Sequence, residues 1–353
     1  MLPFLRNVVS SALLICWSIP GFAQDPQFSQ FYANPIYHNP AFAGGAGSAR
    51  LIANYRSQWP ALPASYHTAA FSFDSYDEDH RLGAGVQLIG DWQGSAFQTT
   101  QVSGQASYML PLMQDSDREA RLIFGLQAAY IGNQINPGGM SFADQYALGG
   151  LVNQVSNDPL SQGTFTRKSV DFTGGLLFEH ELGDNLASYW AGLTVNHIGR
   201  SQLRGDWLGQ RISGMAGIKL PFEGRVWNKG YAHQQNRDQS IGLTGYLRQQ
   251  GNNLQLDVGL NLIYSPLMLG LWYRGIPLRK IGQTTFQNDA LVGIIAFQFD
   301  QLMVQYSYDV TLSSMRYATG GAHEISIWYG FDSLFQFGGK NRNLKRQRRC
   351  QQF

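Results

Sequence analysis

Few side chains in this sequence stand close enough together to suggest chemistry. The candidates are His323-Glu324, Glu179-His180-Glu181, the run Gly45-Ala46-Gly47, and two cysteines, Cys16 and Cys350. An acid/base pair must reach one reacting atom, and neighbours on a strand point to opposite faces, so His323 with Glu324 and Glu179 with His180 fail as pairs. Glu179 and Glu181 share a face and read as carboxylates of a sheet interior. The second histidine of a zinc-binding helix motif does not follow His323-Glu324. Gly45-Ala46-Gly47 lacks the strand-to-helix setting and the further glycine of a nucleotide loop, so it reads as a flexible connection. No nucleophile elbow or phosphate loop occurs. Catalytic residues, metal ligands and cofactors are therefore all assigned as none. An outer-membrane hydrolase with its site spread across facing strands is the least favoured reading. A net charge of +2 is too small for a protein that neutralises a row of phosphates, which argues against nucleic acid.

Elements that would position such residues are strands. Gly 40, Tyr 17, Phe 21 and Trp 8, with 14% charged residues, describe a chain rich in strand-forming aromatics and turn-forming glycine. Period-two alternation is clearest in 253–264, where Leu254, Leu256, Val258, Leu260 and Leu262 oppose Gln255, Asp257, Gly259 and Asn261. The segment 240–248 repeats it, with Ile241, Leu243 and Leu247 against Thr244, Tyr246 and Arg248. In 170–179, Val170, Phe172, Leu176 and Phe178 oppose Asp171, Thr173 and Glu179.

Read this way the chain holds about fourteen strands, near 48–56, 65–74, 81–92, 96–109, 119–133, 168–181, 186–199, 210–222, 238–248, 253–264, 268–276, 290–299, 301–309 and 322–330. Connectors after odd-numbered strands include 134–167, 200–209, 277–289 and 310–321; those after even-numbered ones include 182–185, 265–267 and Asp300. This long-loop, short-turn asymmetry belongs to an all-β transmembrane outer-membrane barrel of about fourteen antiparallel strands with periplasmic termini. Connectors 110–118 and 223–237 depart from the pattern. A β-sandwich would carry more Lys and Glu on its outer faces. Trp59, Tyr66, Trp92, Tyr108, Tyr130, Trp190, Tyr264, Trp272 and Tyr329 are expected in interfacial girdles. Arg248, Asp257, Asn261 and Glu324 are the lumen polar candidates, free to pair with an inserted partner or with one another.

Residues 1–23 read as a signal peptide: Arg6 supplies a positive start, 8–19 is mostly apolar, and Gly21-Phe22-Ala23 fits a cleavage site. Lipidation at Cys16 is disfavoured, because Leu13-Leu14-Ile15 lacks the small residues expected before a lipidated cysteine. The remaining divisions are an irregular segment at 24–47, the barrel at 48–331 and a basic tail at 332–353. The tail reads as a solvated terminus, with contact to an acidic periplasmic partner as the alternative.

The segment Asp25-Pro26-Gln27-Phe28-Ser29-Gln30-Phe31-Tyr32-Ala33-Asn34-Pro35-Ile36-Tyr37-His38-Asn39-Pro40-Ala41-Phe42-Ala43-Gly44 is a poor strand and a poor helix. Its prolines force turns while its aromatics offer anchors. It closely resembles the start of mature PorP/SprF family proteins. Asn54-Tyr55-Arg56-Ser57-Gln58-Trp59-Pro60, Met140-Ser141-Phe142-Ala143-Asp144-Gln145, Tyr306-Ser307-Tyr308-Asp309 and 320–326 resemble further motifs of that family. Its members tend to end in a basic stretch with Cys-Pro-x-Phe, whereas this chain ends Cys350-Gln351-Gln352-Phe353.

The resemblance implies an outer-membrane component of the type IX secretion system of Bacteroidota, associated with secretion, with surface attachment of large adhesins and, in gliding bacteria, with motility. Its implied partners are a secreted cargo protein with a C-terminal targeting domain, periplasmic secretion machinery and outer-membrane lipid. The N-terminal segment, with Asp25, Pro26, Gln27, Phe28, Ser29, Gln30, Phe31, Tyr32, Asn34, Pro35, Asn39, Pro40 and Phe42 as its partner-binding candidates, reads equally as a plug of the periplasmic mouth and as a docking surface. A passive diffusion porin is the alternative function.

Overall fold

Strands with two chemically different faces need two different surroundings, and closing the sheet supplies them. In the computed structural model the described residues are 25–115, 118–147, 150–151, 155–182, 187–199, 209–222, 239–281, 285–312 and 316–331. The expected signal segment 1–23, the connector 223–237 and the expected basic tail 332–353 lie outside them. Fourteen strands form one closed antiparallel barrel, each paired with its neighbours in sequence. They are β1 Ala49–Gln58, β2 Tyr66–Asp77, β3 Leu82–Gln93, β4 Phe97–Gln114, β5 Glu119–Ile135, β6 Phe165–Glu181, β7 Ser188–Ile198, β8 Arg211–Pro221, β9 Gln239–Gln250, β10 Asn253–Tyr264, β11 Leu267–Ile281, β12 Thr285–Phe299, β13 Leu302–Thr311 and β14 Ala322–Phe331. Closure runs from Ala49 opposite Phe331 to Gln58 opposite Ala322.

The two faces invert the rule of soluble proteins. Outward-facing Leu126, Leu193 and Leu260 are 70%, 62% and 52% exposed, while inward-facing Thr194 and Asn261 are 1% and 0% exposed. Exposed leucine around the whole circumference is stable only against hydrocarbon, and a closed ladder pairs the backbone there apart from local register shifts.

Strand ends joined by 59–65, 136–164, 199–210 and 312–321 form one rim, called upper here. Those joined by 78–81, 115–118, 182–187, 265–266 and 300–301 form the lower rim. The departure at 110–118 resolves because β4 continues to Gln114. Pro111 has no amide to donate, and the ladder answers with a register shift between Pro111 and Met113. The expected loop 277–289 is mostly paired strand, since β11 and β12 extend to Ile281 and from Thr285 with register shifts on the way.

Three aromatics differ from expectation, the first being Tyr66, which shares the inward strand face of Thr68 and Ser72. Trp190 and Trp272 are 6% and 2% exposed inside the barrel rather than in a girdle, because they fall on the same strand face as Thr194 and Arg274. Trp92, Tyr108, Tyr130 and Tyr329 do face outward.

Residues 25–48 run through the lumen as an irregular strap. It folds as a 3-10 turn at Phe31–Ala33, a short helix α1 at Pro35–His38 and a second 3-10 turn at Pro40–Phe42. Pro35 and Pro40 sit at first helical positions, where the missing amide costs nothing, and the Asn39 side chain caps by accepting from the Ala41 amide at 2.9 Å. Phe28, Phe31, Tyr32, Ile36, Tyr37 and Phe42 are all buried. Strap and wall share one core, in which Phe31, Ile36 and Phe42 cluster with Ile52, Trp190, Trp272, Val292 and Trp328.

Strand parity places the start of β1 and the end of β14 at the lower rim. Asp25, however, lies level with the upper rim, against the ends of β7 and β9 and the first residue of β8. The two described ends of the chain are therefore at opposite mouths, not at one, because the strap crosses the lumen before β1 begins.

Candidate functional site

The site is the lumen, and the strap contacts its wall in layers. At the upper rim the Asp25 carboxylate is 2.8 Å from His197 Nε2 and 2.9 Å from Arg211 Nη1. Its backbone amide donates to Gln250 Oε1 at 3.1 Å. The other ring nitrogen of His197 meets Asp171 at 2.7 Å, and the Arg211 guanidinium lies over the Tyr37 ring, 5.2 Å from its centre. Both nitrogens of His197 thus face carboxylates, an arrangement that fixes the strap rather than activating a nucleophile.

One step down, the amides of Ser29 and Gln30 donate to Glu324 at 2.6 and 3.2 Å, and the Ser29 hydroxyl donates to Asp309. Arg56 bridges Asp309 at 2.9 Å and Glu324 at 3.3 Å, and it also donates to the Ser29 hydroxyl. Arg274 joins Asp309 at 2.9 Å to Asp257 at 3.1 Å. Charges this deeply buried persist only when each has several partners, and here strap and wall supply them jointly.

The waist is aromatic. Phe31 stacks on Tyr246 with centroids 5.3 Å apart and meets Trp272 edge-on at 5.2 Å. The Ala33 carbonyl accepts from Asn54 Nδ2 at 3.2 Å on β1 and from Trp328 Nε1 at 2.9 Å on β14, so the strap spans the closure seam. Towards the lower rim Asn39 Nδ2 donates to the Leu176 carbonyl at 3.1 Å, Ser107 Oγ donates to the Ala43 carbonyl at 2.7 Å, and the Gly44 amide donates to Asp74, which also pairs with Arg50 at 2.9 Å. Here the backbone itself touches the wall. A Cβ added at Gly83 or Gly125 would overlap the backbone of Ala43 or Ala41.

All thirteen strap candidates lie in this path. Phe28 to Tyr32, Asn34, Pro35, Asn39, Pro40 and Phe42 are buried, while Asp25, Pro26 and Gln27 at the upper rim are half-buried. The four lumen candidates face inward, and three share one network: Asp257 reaches Glu324 through Arg274, Asp309 and Arg56, and Arg248 reaches Asp257 through Gln255, while Asn261 lies outside that chain of contacts. Arg248 donates to Gln255 at 2.6 Å, Asp257 holds Arg274, Asn261 accepts from Trp272 Nε1 at 3.0 Å, and Glu324 holds the strap. His323 lies on the outer face with Tyr306 Oη at 2.8 Å, away from Glu324. Glu179 and Glu181 both pair with Arg121. No cluster of metal-ligating side chains occurs among the described residues.

Sequence reasoning passed over His197, Arg211, Arg56, Arg274 and Asp309. Their signal was charge on the polar face of strands within a few residues of an upper-rim connector. It also passed over Gly83 and Gly125, which interrupt the polar face where a side chain was due.

The upper rim carries the connector 136–164. Within it Asp144 accepts from Ser156 Oγ at 2.7 Å and from the Asn157 amide at 2.6 Å, and these bonds hold its carboxyl below the usual range. Gln145 Oε1 accepts from the Phe142 amide at 2.7 Å. The knot fastens the segment 140–145, one of the motif strings in the sequence.

Residues 21–329 match the model of the type IX secretion system membrane protein PorP/SprF, nearly the whole barrel and strap together. The chain belongs to the PorP/SprF family. A search of curated proteins finds no match. Solved structures give distant likenesses. The toluene transporter TbuX of Ralstonia pickettii is 11% identical, with TM-score 0.44, over 84% of this chain and 93% of that one. A FadL homologue of Pseudomonas aeruginosa is 12% identical, with TM-score 0.39, over 88% and 100%. CdiB from Acinetobacter baumannii is 6% identical, with TM-score 0.41, over 80% of this chain, which spans 60% of CdiB. As a PorP/SprF protein the chain is a membrane component of type IX secretion, built as an outer-membrane barrel.

Proposed function

We propose that this PorP/SprF protein assists the secretion or surface anchoring of a partner protein by noncovalent binding, as a strapped barrel rather than an open one and without enzymatic chemistry. The observation that carries the reading is the occupied lumen: from Asp25 at the upper rim to Gly44 at the lower, strap side chains take up the inward-facing charges and aromatics a diffusing solute would otherwise meet. The upper rim, with the connector 136–164 and half-buried Asp25, Pro26 and Gln27, is the surface offered to adhesin-like cargo with a C-terminal targeting domain. Periplasmic machinery meets the lower rim and the basic tail. The strap motif serves the partners mainly from within, by shutting the lumen and holding both rims in shape. Outer-membrane lipid surrounds the apolar outer face, and the end of β14 faces the periplasm.

Two measurements test this. In planar bilayers the purified barrel is expected to stay closed, and pull-down from outer membranes is expected to recover an exported protein. A steady, partner-independent conductance would favour the diffusion porin. Unchanged secretion and surface display of the co-purifying protein in a deletion strain would overturn the proposal.

A further inference from the structure

We propose that the strap is a one-way thread whose processed N-terminal end opens at the upper rim, opposite the C-terminal end of the barrel, so that it seats only after the signal segment has been removed. The direction rests on ordered contacts. Asp25 is held by His197, Arg211 and Gln250, all at strand ends on the upper rim. Ser29 and Gln30 meet Glu324, the third residue of β14 from that rim. Ala43 and Gly44 meet Ser107 and Asp74, near the lower rim from which β1 departs. The chain therefore crosses the lumen once, top to bottom, and whatever precedes Asp25 begins at the upper rim.

The lumen also selects what can precede it. The layer beneath Asp25 is lined by Arg56, Arg274, Asp309 and Glu324, each at most 6% exposed. The mostly apolar stretch 8–19, drawn through that layer, would separate these charges and offer no charged group in return. Both chains carry Asp25, but only in the processed one does it stand next to the chain end, free of that stretch, where Arg211 and His197 bind its carboxylate. Removal of the signal segment thus converts a chain that the lumen excludes into one that it captures. The strap begins and β1 departs at opposite rims whichever of the two faces the cell exterior.

Disulfide trapping in the Cys350→Ser background tests the thread. In oxidised outer membranes the pairs Asp25→Cys with Gln250→Cys, Ser29→Cys with Glu324→Cys, and Ala43→Cys with Ser107→Cys are each expected to bond, and Asp25→Cys with Ser107→Cys is not. A bond in that last pair would overturn the inference. So would failure of the Ser29/Glu324 pair, whether or not the Ala43/Ser107 pair forms. With processing blocked by Ala23→Leu, the Ser29/Glu324 bond is expected to be lost, and its persistence would refute the processing requirement.

Labelling of intact cells with a membrane-impermeant maleimide then reports sides. Gln24→Cys is expected to react under the same conditions as Gly138→Cys on the upper connector, and native Cys350 only under the opposite ones. Reaction of Gln24→Cys with the pattern of Cys350, or no reaction at all, would overturn the inference. A barrel inserted the other way up would exchange the patterns of Gly138→Cys and Cys350 and leave Gln24→Cys with Gly138→Cys. Failure of the assumed orientation is thus distinguishable from failure of the thread.

Discussion

Gly125 lies mid-wall on β5 with the strap backbone against it, so Gly125→Ala is the smallest change that pushes strap and wall apart. The added Cβ would overlap Ala41 N and Cα and the Pro40 carbonyl carbon, all backbone, which cannot rotate away as a side-chain tip would. Forcing one methyl into a packed interior costs about 1–3 kcal/mol. Backbone contact on one side, and on the other a ladder whose pairing with β4 and β6 is continuous at this position, place the cost at the upper end and direct it to the movable element, the strap. At about 1.4 kcal/mol per tenfold, the ratio of unseated to seated strap should rise on the order of 100-fold while the barrel stays folded. Single-channel recording in planar bilayers reads that ratio as open probability. The control is Gly104→Ala, at a lipid-facing position where an added Cβ meets nothing within 4 Å. If Gly125→Ala folds and stays as closed as Gly104→Ala, the strap does not depend on close approach to the wall and the layered fit is wrong.

Three further outcomes are expected. Phe31→Ala removes the ring between Tyr246 and Trp272 and should cost about 3–5 kcal/mol, seen as a lower midpoint in urea unfolding with the strand content of the folded state unchanged. Leu126→Arg, on the lipid face of β5, should cost about 2–4 kcal/mol and reduce the membrane-inserted fraction, whereas Leu126→Ile should not. Asp144 has its carboxyl lowered by Ser156 and Asn157, so its contribution to the connector knot is fully present above pH 3.8 and is lost as pH falls through the depressed value. Protection of the Asn157 amide from hydrogen exchange, taken against the unstructured-peptide rate at each pH, should therefore fall only in that acid range, and Asp144→Asn should lower it at pH 7.

The barrel was legible because each strand faces two solvents, and the leucines of 253–264 could be sorted from Asp257 and Asn261 without knowing which face met lipid. Loop parity likewise located the start of β1 and the end of β14. Trp190 and Trp272 were misplaced because an aromatic near a strand end fits a girdle and a core equally well, and only the parity shared with Thr194 and Arg274 separates them. The strap motif was visible as turns plus anchors, but its direction was not. That Asp25 would pass beyond the lower rim and reach His197 and Arg211 depends on contacts 172 or more residues away in sequence, which no local pattern encodes. Gly83 and Gly125 read as ordinary strand glycines until a second backbone lies against them.

The Ala33 carbonyl, shared between Asn54 of β1 and Trp328 of β14, bears on how the wall could ever part. Every other strand junction is backed by a connector in the chain itself, but β1 and β14 have none and are held by their ladder and by side-chain contacts such as Arg56 with Glu324, which makes that seam the natural place for sideways opening. With Ala33, and with Ser29 tied to both Arg56 and Glu324, the strap sutures that seam from inside. On the proposed reading, a polypeptide leaving the barrel sideways through this junction would first have to draw the strap out, and closure of the pore and closure of the wall would be a single event.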